Sequence, residues 1–145
     1  MRLWIALILL MFAPLAAIAA PEDAPRYVAG QVWEYRTRPA DEGSLLKIHS
    51  IEQPASGEIY HISLIGLAYG RGMAGGGVFG HMAVSRETLD KSVTRLSDSP
   101  AAFPDPTEGI AQWRAANGEV FTIPLAEIID GVMATITGGA VATDQ

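Results

Sequence analysis

Three runs of alternating residues, joined by short breaker segments, restrict this chain more than any other feature of it. Residues 31–38 set Trp33, Tyr35 and Thr37 against Val32, Glu34 and Arg36. Residues 44–53 set Leu46 and Ile48 against Leu45, Lys47, His49 and Ile51. Residues 58–69 set Tyr60, Ile62 and Leu64 against Ile59, His61, Ser63, Ile65 and Leu67. A period of two carried by aromatic and β-branched residues predicts half-buried strands. Residues 39–43 (PADEG) and 54–57 (PASG) read as turns between them. Strands that close together in sequence pair as an antiparallel meander. Residues 81–84 predict a short fourth strand.

The period then changes. Residues 85–96 (SRETLDKSVTRL) predict a helix with Ser85 as N-cap, Glu87 in its first turn, and Leu89, Val93 and Leu96 on one face. Asp105, Pro106 and Glu108 form a helix-start signature, with Ile110 and Trp113 facing inward and Asn117-Gly118 as the stop. Pro124 opens a last helix whose stripe is Leu125, Ile128, Ile129, Val132, Met133 and Ile136, ending at Gly138-Gly139. Strands first and helices second predict an α+β fold: an antiparallel meander of three to four strands, then two to three helices packed on one face. The expected core is Trp33, Tyr35, Tyr60, Ile62, Leu64, Leu89, Val93, Trp113, Leu125, Ile128 and Ile129.

The first residues belong to a different pattern. Arg2 is followed by eleven uninterrupted apolar residues, 3–13, then Pro14 and small residues ending in Ala17-Ile18-Ala19. This is the layout of a secretory signal peptide, with cleavage expected after Ala19 so that Ala20 leads the mature chain. A cut after Ala20 would place Pro21 past the scissile bond, where proline is disfavoured. A membrane span needs about 20 apolar residues, so an anchor is the weaker reading. The resulting layout is a leader at 1–19, a flexible arm at 20–29, one domain at 30–137 and a disordered tail at 138–145. A periplasmic or secreted location is expected, with no stable membrane span after cleavage.

Composition narrows the chemistry. The chain has no cysteine, which removes disulfides, thiol catalysis and thiolate metal sites. An exported domain of this size must then hold together through its core alone. Without Arg2, nine basic residues face sixteen acidic ones, for a net charge near −7. A chain so acidic, with no basic patch, is a poor partner for nucleic acid.

Few residues suggest a reaction. Residues 70–80 (GRGMAGGGVFG) hold six glycines, but lack the Lys-Ser/Thr of a phosphate loop and the helix that a dinucleotide loop opens. They read as a flexible loop, or one that orders on a partner through Met73, Val78 and Phe79. A hairpin register pairing Pro54 with Glu58 would set His49 opposite Ser63 and on the same face as His61. His49, His61 and His81 are therefore the metal candidates, although no acidic residue is placed to help them, and a polar sheet face explains them more simply. No cofactor is implied. There is no Gly-x-Ser-x-Gly elbow, and Ser85 is explained as a cap. Glu127 and Asp130 lie opposite the apolar stripe of the last helix and read as a solvated face.

The strings GQVWEY at 30–35, HMAVSRETLDKSVTRL at 81–96 and GEVFTIPLAEIID at 118–130 resemble a group of small uncharacterised bacterial exported proteins. The resemblance implies a bacterial envelope or secreted location and carries no activity. The leading expectation is a non-enzymatic binding or interaction module. Its contact surface would be residues 70–86, with Tyr69, Arg71, Phe79 and Arg86 as exposed anchors, and its partner an envelope protein or small ligand. The competing expectation is a small metal-dependent or hydrolytic enzyme using the three histidines. A purely structural envelope protein is the third.

Overall fold

A computed structural model describes residues 26–69 and 73–141. The expected leader, most of the expected arm and the last four residues lie outside them. The elements run β1 (Val32–Tyr35), a 3-10 turn (Pro39–Asp41), β2 (Leu45–Glu52), β3 (Ile59–Tyr69), β4 (Met73–Ser85), α1 (Arg86–Ser92), β5 (Val93–Ser97), α2 (Thr107–Ala115) and α3 (Leu125–Val141). The fold is α+β, as the strand-then-helix pattern predicts. Its five strands are ordered β4-β3-β2-β1-β5, and every neighbouring pair is antiparallel. Among the described residues no helix is long and apolar enough to cross a membrane.

The alternation in β3 organises the sheet. Tyr60, Ile62 and Leu64 are buried on one face with Leu46, Ile48, Trp33 and Tyr35. Leu89 of α1 and Leu125, Ile128 and Ile129 of α3 close this face as one apolar cluster. Every expected core residue belongs to it except Trp113, which packs on the other face against His61. The helices therefore divide: α1 and α3 cover the apolar face, and α2 covers the polar one.

Four local expectations change. The helix over 85–96 is only its first half. Ser85 caps it as expected, accepting from the Thr88 N–H at 3.2 Å, but α1 stops at Ser92 and the β-branched Val93 and Thr94 start β5 along β1. Val93 stays in the core, while Leu96 is half exposed. Second, the described part of the glycine segment is strand. Tyr69 pairs with Met73, Leu67 with Gly77 and Ile65 with Val78, with three register shifts along the hairpin. Bulged pairing suits a strand with few Cβ atoms, because glycine tolerates the irregular backbone. Residues 70–72 lie outside the description.

Third, order starts before residue 30. Tyr27 is buried, sits edge-on to Trp33 and Tyr60 at 5.6 Å each, and donates its hydroxyl to Asp90 at 2.6 Å. Residues 26–29 are part of the domain. Fourth, α3 continues through Gly138 and Gly139 to Val141, so the expected tail begins as helix. Glycine costs about 1 kcal/mol in a helix interior, which weakens a helix without having to end it.

Close to β3, the 3-10 turn is pinned by a buried carboxylate. Asp41 is fully buried, receives Arg38 Nε at 2.6 Å and accepts the Ala68 N–H at 2.8 Å. Nearby, Gly66 has φ +76°, and a Cβ there would lie 3.2 Å from the Ser44 backbone. Both conformation and space require glycine. Gly66→Ala is expected to lower stability by about 1–2 kcal/mol, read as a lower urea midpoint; an unchanged midpoint would show that β3 relaxes freely at this point.

Candidate functional site

The polar face of the sheet brings the three histidines together. In β3, His61 and Ser63 alternate with the core residues and so point away from the apolar cluster. In β4, Ala83 is the direct partner of His61, which leaves His81 one diagonal step away on the same face. In β2, the register shifts between Ile48 and Ser50, a bulge that leaves His49 without a partner. Strict alternation puts Ile51 on the face of His49. The bulge reverses this, so Ile51 packs against the core and Glu52, paired with Ile59, reaches His61.

Three adjacent strands thus present a row of hydrogen-bonded groups. Arg114 of α2 donates to Glu52 Oε1 in a very short contact. Glu52 Oε1 faces His61 Nε2 at 3.0 Å, and His61 Nδ1 faces His81 Nε2 at 2.9 Å. A carboxylate only accepts, so His61 Nε2 carries a proton. One further proton then bridges His61 and His81, whichever ring owns it. Two protons in that bridge would set N–H against N–H. Trp113 stands edge-on to the His61 ring at 5.2 Å and 79°, and Gly109 brings α2 down onto His81. A Cβ on Gly109 would sit 2.5 Å from the His81 Cβ.

His49 makes a separate contact, with Nε2 2.6 Å from the hydroxyl of the fully buried Ser63. The direct partner of Ser63 is Lys47, two residues off the expected register. Burial holds His49 below its ordinary pKa, with Lys47 adding to the effect and Asp105 opposing it. For His81 the shift is larger, down to about 4, from burial first and then from His61, His49 and Arg114. Arg114 is also the main reason the Glu52 carboxyl titrates below its usual range, with His61 contributing.

This arrangement orients and stores a proton. It does not converge on an ion: both His61 nitrogens are committed, and His61 and His81 face each other rather than a common point. Among the described residues no group of three His, Cys, Asp or Glu could hold a metal. The acidic partner that the sequence did not assign to the histidines is Glu52, nine positions before His61 across the six-residue connection 53–58. Its signal was there, since a tight hairpin brings such a pair together, but the bulge that turns Glu52 the right way has no marker in the sequence. Arg114 had no signal of its own.

Of the expected contact anchors, the backbone of Tyr69 and the residues Phe79 and Arg86 are described. Phe79 pairs with Leu64 and packs against the core instead of standing free. Arg86 is half exposed at the start of α1, 3.8 Å from Glu58. Tyr69 ends β3 ten residues from Ile59, which pairs beside Arg86, so the two lie roughly 30 Å apart along the hairpin. Arg71 is outside the described residues. An open depression of about 340 Å³ lies elsewhere, lined by Trp113, Arg114, Asn117 and Gly118.

No protein-family model, no curated protein and no solved structure matches this chain.

Two measurements test the site's energetics. Gly109→Ala should cost about 1–3 kcal/mol through overpacking against His81, seen in guanidinium unfolding; wild-type stability in this variant would mean that α2 does not rest on that ring. For pH, the folded His81 titrates below its unfolded value. Between about pH 6.5 and 4 the unfolded chain therefore binds a proton that the folded chain refuses. Stability is fully present above this window and falls as pH drops through it. The expected loss is about 1–2 kcal/mol after allowance for solvent screening. Urea midpoints at pH 7.5 and 4.5 should differ in the wild type and differ less in His81→Gln.

Proposed function

We propose that this chain is an exported, non-enzymatic binding module that works by surface contact with an envelope protein or a small envelope ligand. The export part rests on residues 1–19, whose charged start, apolar run and small-residue end suit signal peptidase. The non-enzymatic part rests on one observation: His61 is fully buried and both its ring nitrogens are engaged. The Ser63 hydroxyl is equally buried against His49. Groups tied up in this way hold the fold together, and the exposed surface is left to do the binding. The depression at Trp113, Arg114 and Asn117 offers an aromatic ring and a guanidinium, the residue types that dominate contact energetics, with an amide beside them.

A second reading has its own observation. The order Glu52, His61, His81 is that of a carboxylate orienting a base, and a His81 that stays neutral at neutral pH could accept a proton. The two readings separate on one protein preparation. The protein, expressed with its leader in a bacterial host, is expected in the periplasmic fraction with Ala20 as its first residue by intact mass. Crosslinking to envelope extract should yield a saturable complex that weakens at least tenfold in Arg114→Ala, with folding checked by circular dichroism. Hydrolysis of a general ester or amide substrate panel, lost in His81→Gln, would replace the binding reading with the enzymatic one. A chain recovered in the cytosol with Met1 attached would remove the export part.

A further inference from the structure

We propose that β5 is the docking edge for β5 of a second copy of this chain, paired antiparallel about Leu96 so that two sheets join edge to edge. β5 ends the strand order, and among the described residues nothing pairs with it on the side away from β1. β4, the other end strand, has Phe121 bridged beside Val84. An open depression lined by Gly30, Gln31, Leu96, Ser97 and Asp98 borders β5, so the edge can be reached. An end strand offers its outward N–H and C=O groups to any strand that fits.

What Leu96 offers follows from the ladder. The Gln31 carbonyl accepts the Ile48 N–H at 2.9 Å, so it points toward β2. Alternation then turns the N–H and C=O of Val32 and Glu34 toward β5, where their partners are Ser97 and Arg95. Leu96 lies between those two and turns its own N–H and C=O outward. Its side chain shares a face with its direct partner Trp33, which is buried, yet Leu96 is 52% exposed. The apolar face thus runs out to the edge with a leucine still in water.

A twofold axis between facing Leu96 residues answers both features. The two leucines exchange N–H···O=C bonds and cover each other's side chains. The neighbouring twofold registers are worse. One sets Arg95 against Arg95, and like charges directly opposite are destabilising. The other sets Leu96 against Asp98. In the Leu96 register, Arg95 meets the neutral Ser97, and Glu34 of its own chain already holds the guanidinium at 2.8 and 3.1 Å. An edge that pairs with itself closes after two copies and does not propagate. Two five-residue strands bury less than the roughly 1,600 Å² of a standard interface, so the dimer is weak and reversible. The negative charge of each copy opposes association, and salt screens that repulsion.

Sedimentation velocity over rising protein concentration, in about 0.5 M sodium chloride to screen the charge, tests this on the protein as recovered from the bacterial host. A monomer–dimer equilibrium is expected. Leu96→Lys, which sets two ammonium groups across the axis, should weaken it at least tenfold. Ile136→Lys, at a comparably exposed apolar site on α3, should leave it unchanged. Because the chain lacks cysteine, the register can be read directly. Under oxidised glutathione, Leu96→Cys should form an interchain disulfide at least tenfold faster than Ser97→Cys, whose thiols would lie on the other face and not opposite each other. A chain that stays monomeric at every soluble concentration would overturn the proposal. So would a dimer that Leu96→Lys leaves intact, or equal crosslinking at the two cysteine positions. A monomer whose complex with envelope extract is lost in Leu96→Lys would overturn it as well, and would give the edge to a foreign strand.

Discussion

β3 is buried on both of its faces, and the rest of the domain is arranged around that fact. An antiparallel strand of a small domain more often has one dry and one wet face. Here Tyr60, Ile62 and Leu64 enter an apolar cluster, while the intervening His61 and Ser63 are equally excluded from water. A buried polar side chain must find partners or lose a free energy of about 1–3 kcal/mol. The polar face is therefore obliged to build a network. Among the described residues no buried side-chain nitrogen or oxygen lacks a partner. Glu52, His81 and His49 reach the face from flanking strands, and α2 adds Trp113 and Arg114. The bulge in β2 is what makes this possible, since it sends Ile51 inward and Glu52 outward on a strand that would otherwise do the reverse.

A second set of polar contacts joins the ends of elements. Ser92 donates to the Thr88 carbonyl at 2.6 Å and accepts the Leu125 N–H at 2.9 Å, so the last turn of α1 caps the start of α3. Thr88 donates to Phe121 O at 2.9 Å. Asp41 does the same for the turn before β2, and Tyr27 ties the incoming chain to Asp90. In a domain without disulfides, these contacts fix the connections that covalent links would otherwise hold. They also explain why α1 can be only seven residues long: it is fastened at both ends.

The fold class and the apolar core were legible because both depend on periodicity, which the sequence carries openly. Ten of the eleven expected core residues lie in the cluster for that reason. Leu96 and the second half of the expected first helix were misplaced because SVTRL fits a helix face and a strand equally well, and pairing with β1 decides between them. Residues 73–80 were unreadable for another reason. Glycine has little preference of its own, so the ladder offered by β3 sets its conformation. The histidine row was half legible: a shared face for His49 and His61 followed from alternation, but the direct contact of His61 with His81 required a strand running through the glycines. The same long hairpin separates Tyr69 from Arg86 along the sheet.

The two faces differ in how their stability depends on conditions. Burial of apolar area on the α1 and α3 side is insensitive to pH, and it holds the long-range order of all five strands. The polar side is held by a few hydrogen bonds whose strength follows proton occupancy. Among the described residues α2 is the helix with no buried residue of its own. It rests on the His61–His81 pair through Trp113 and Gly109, so its hold on the sheet depends on the polar network and not on the apolar core.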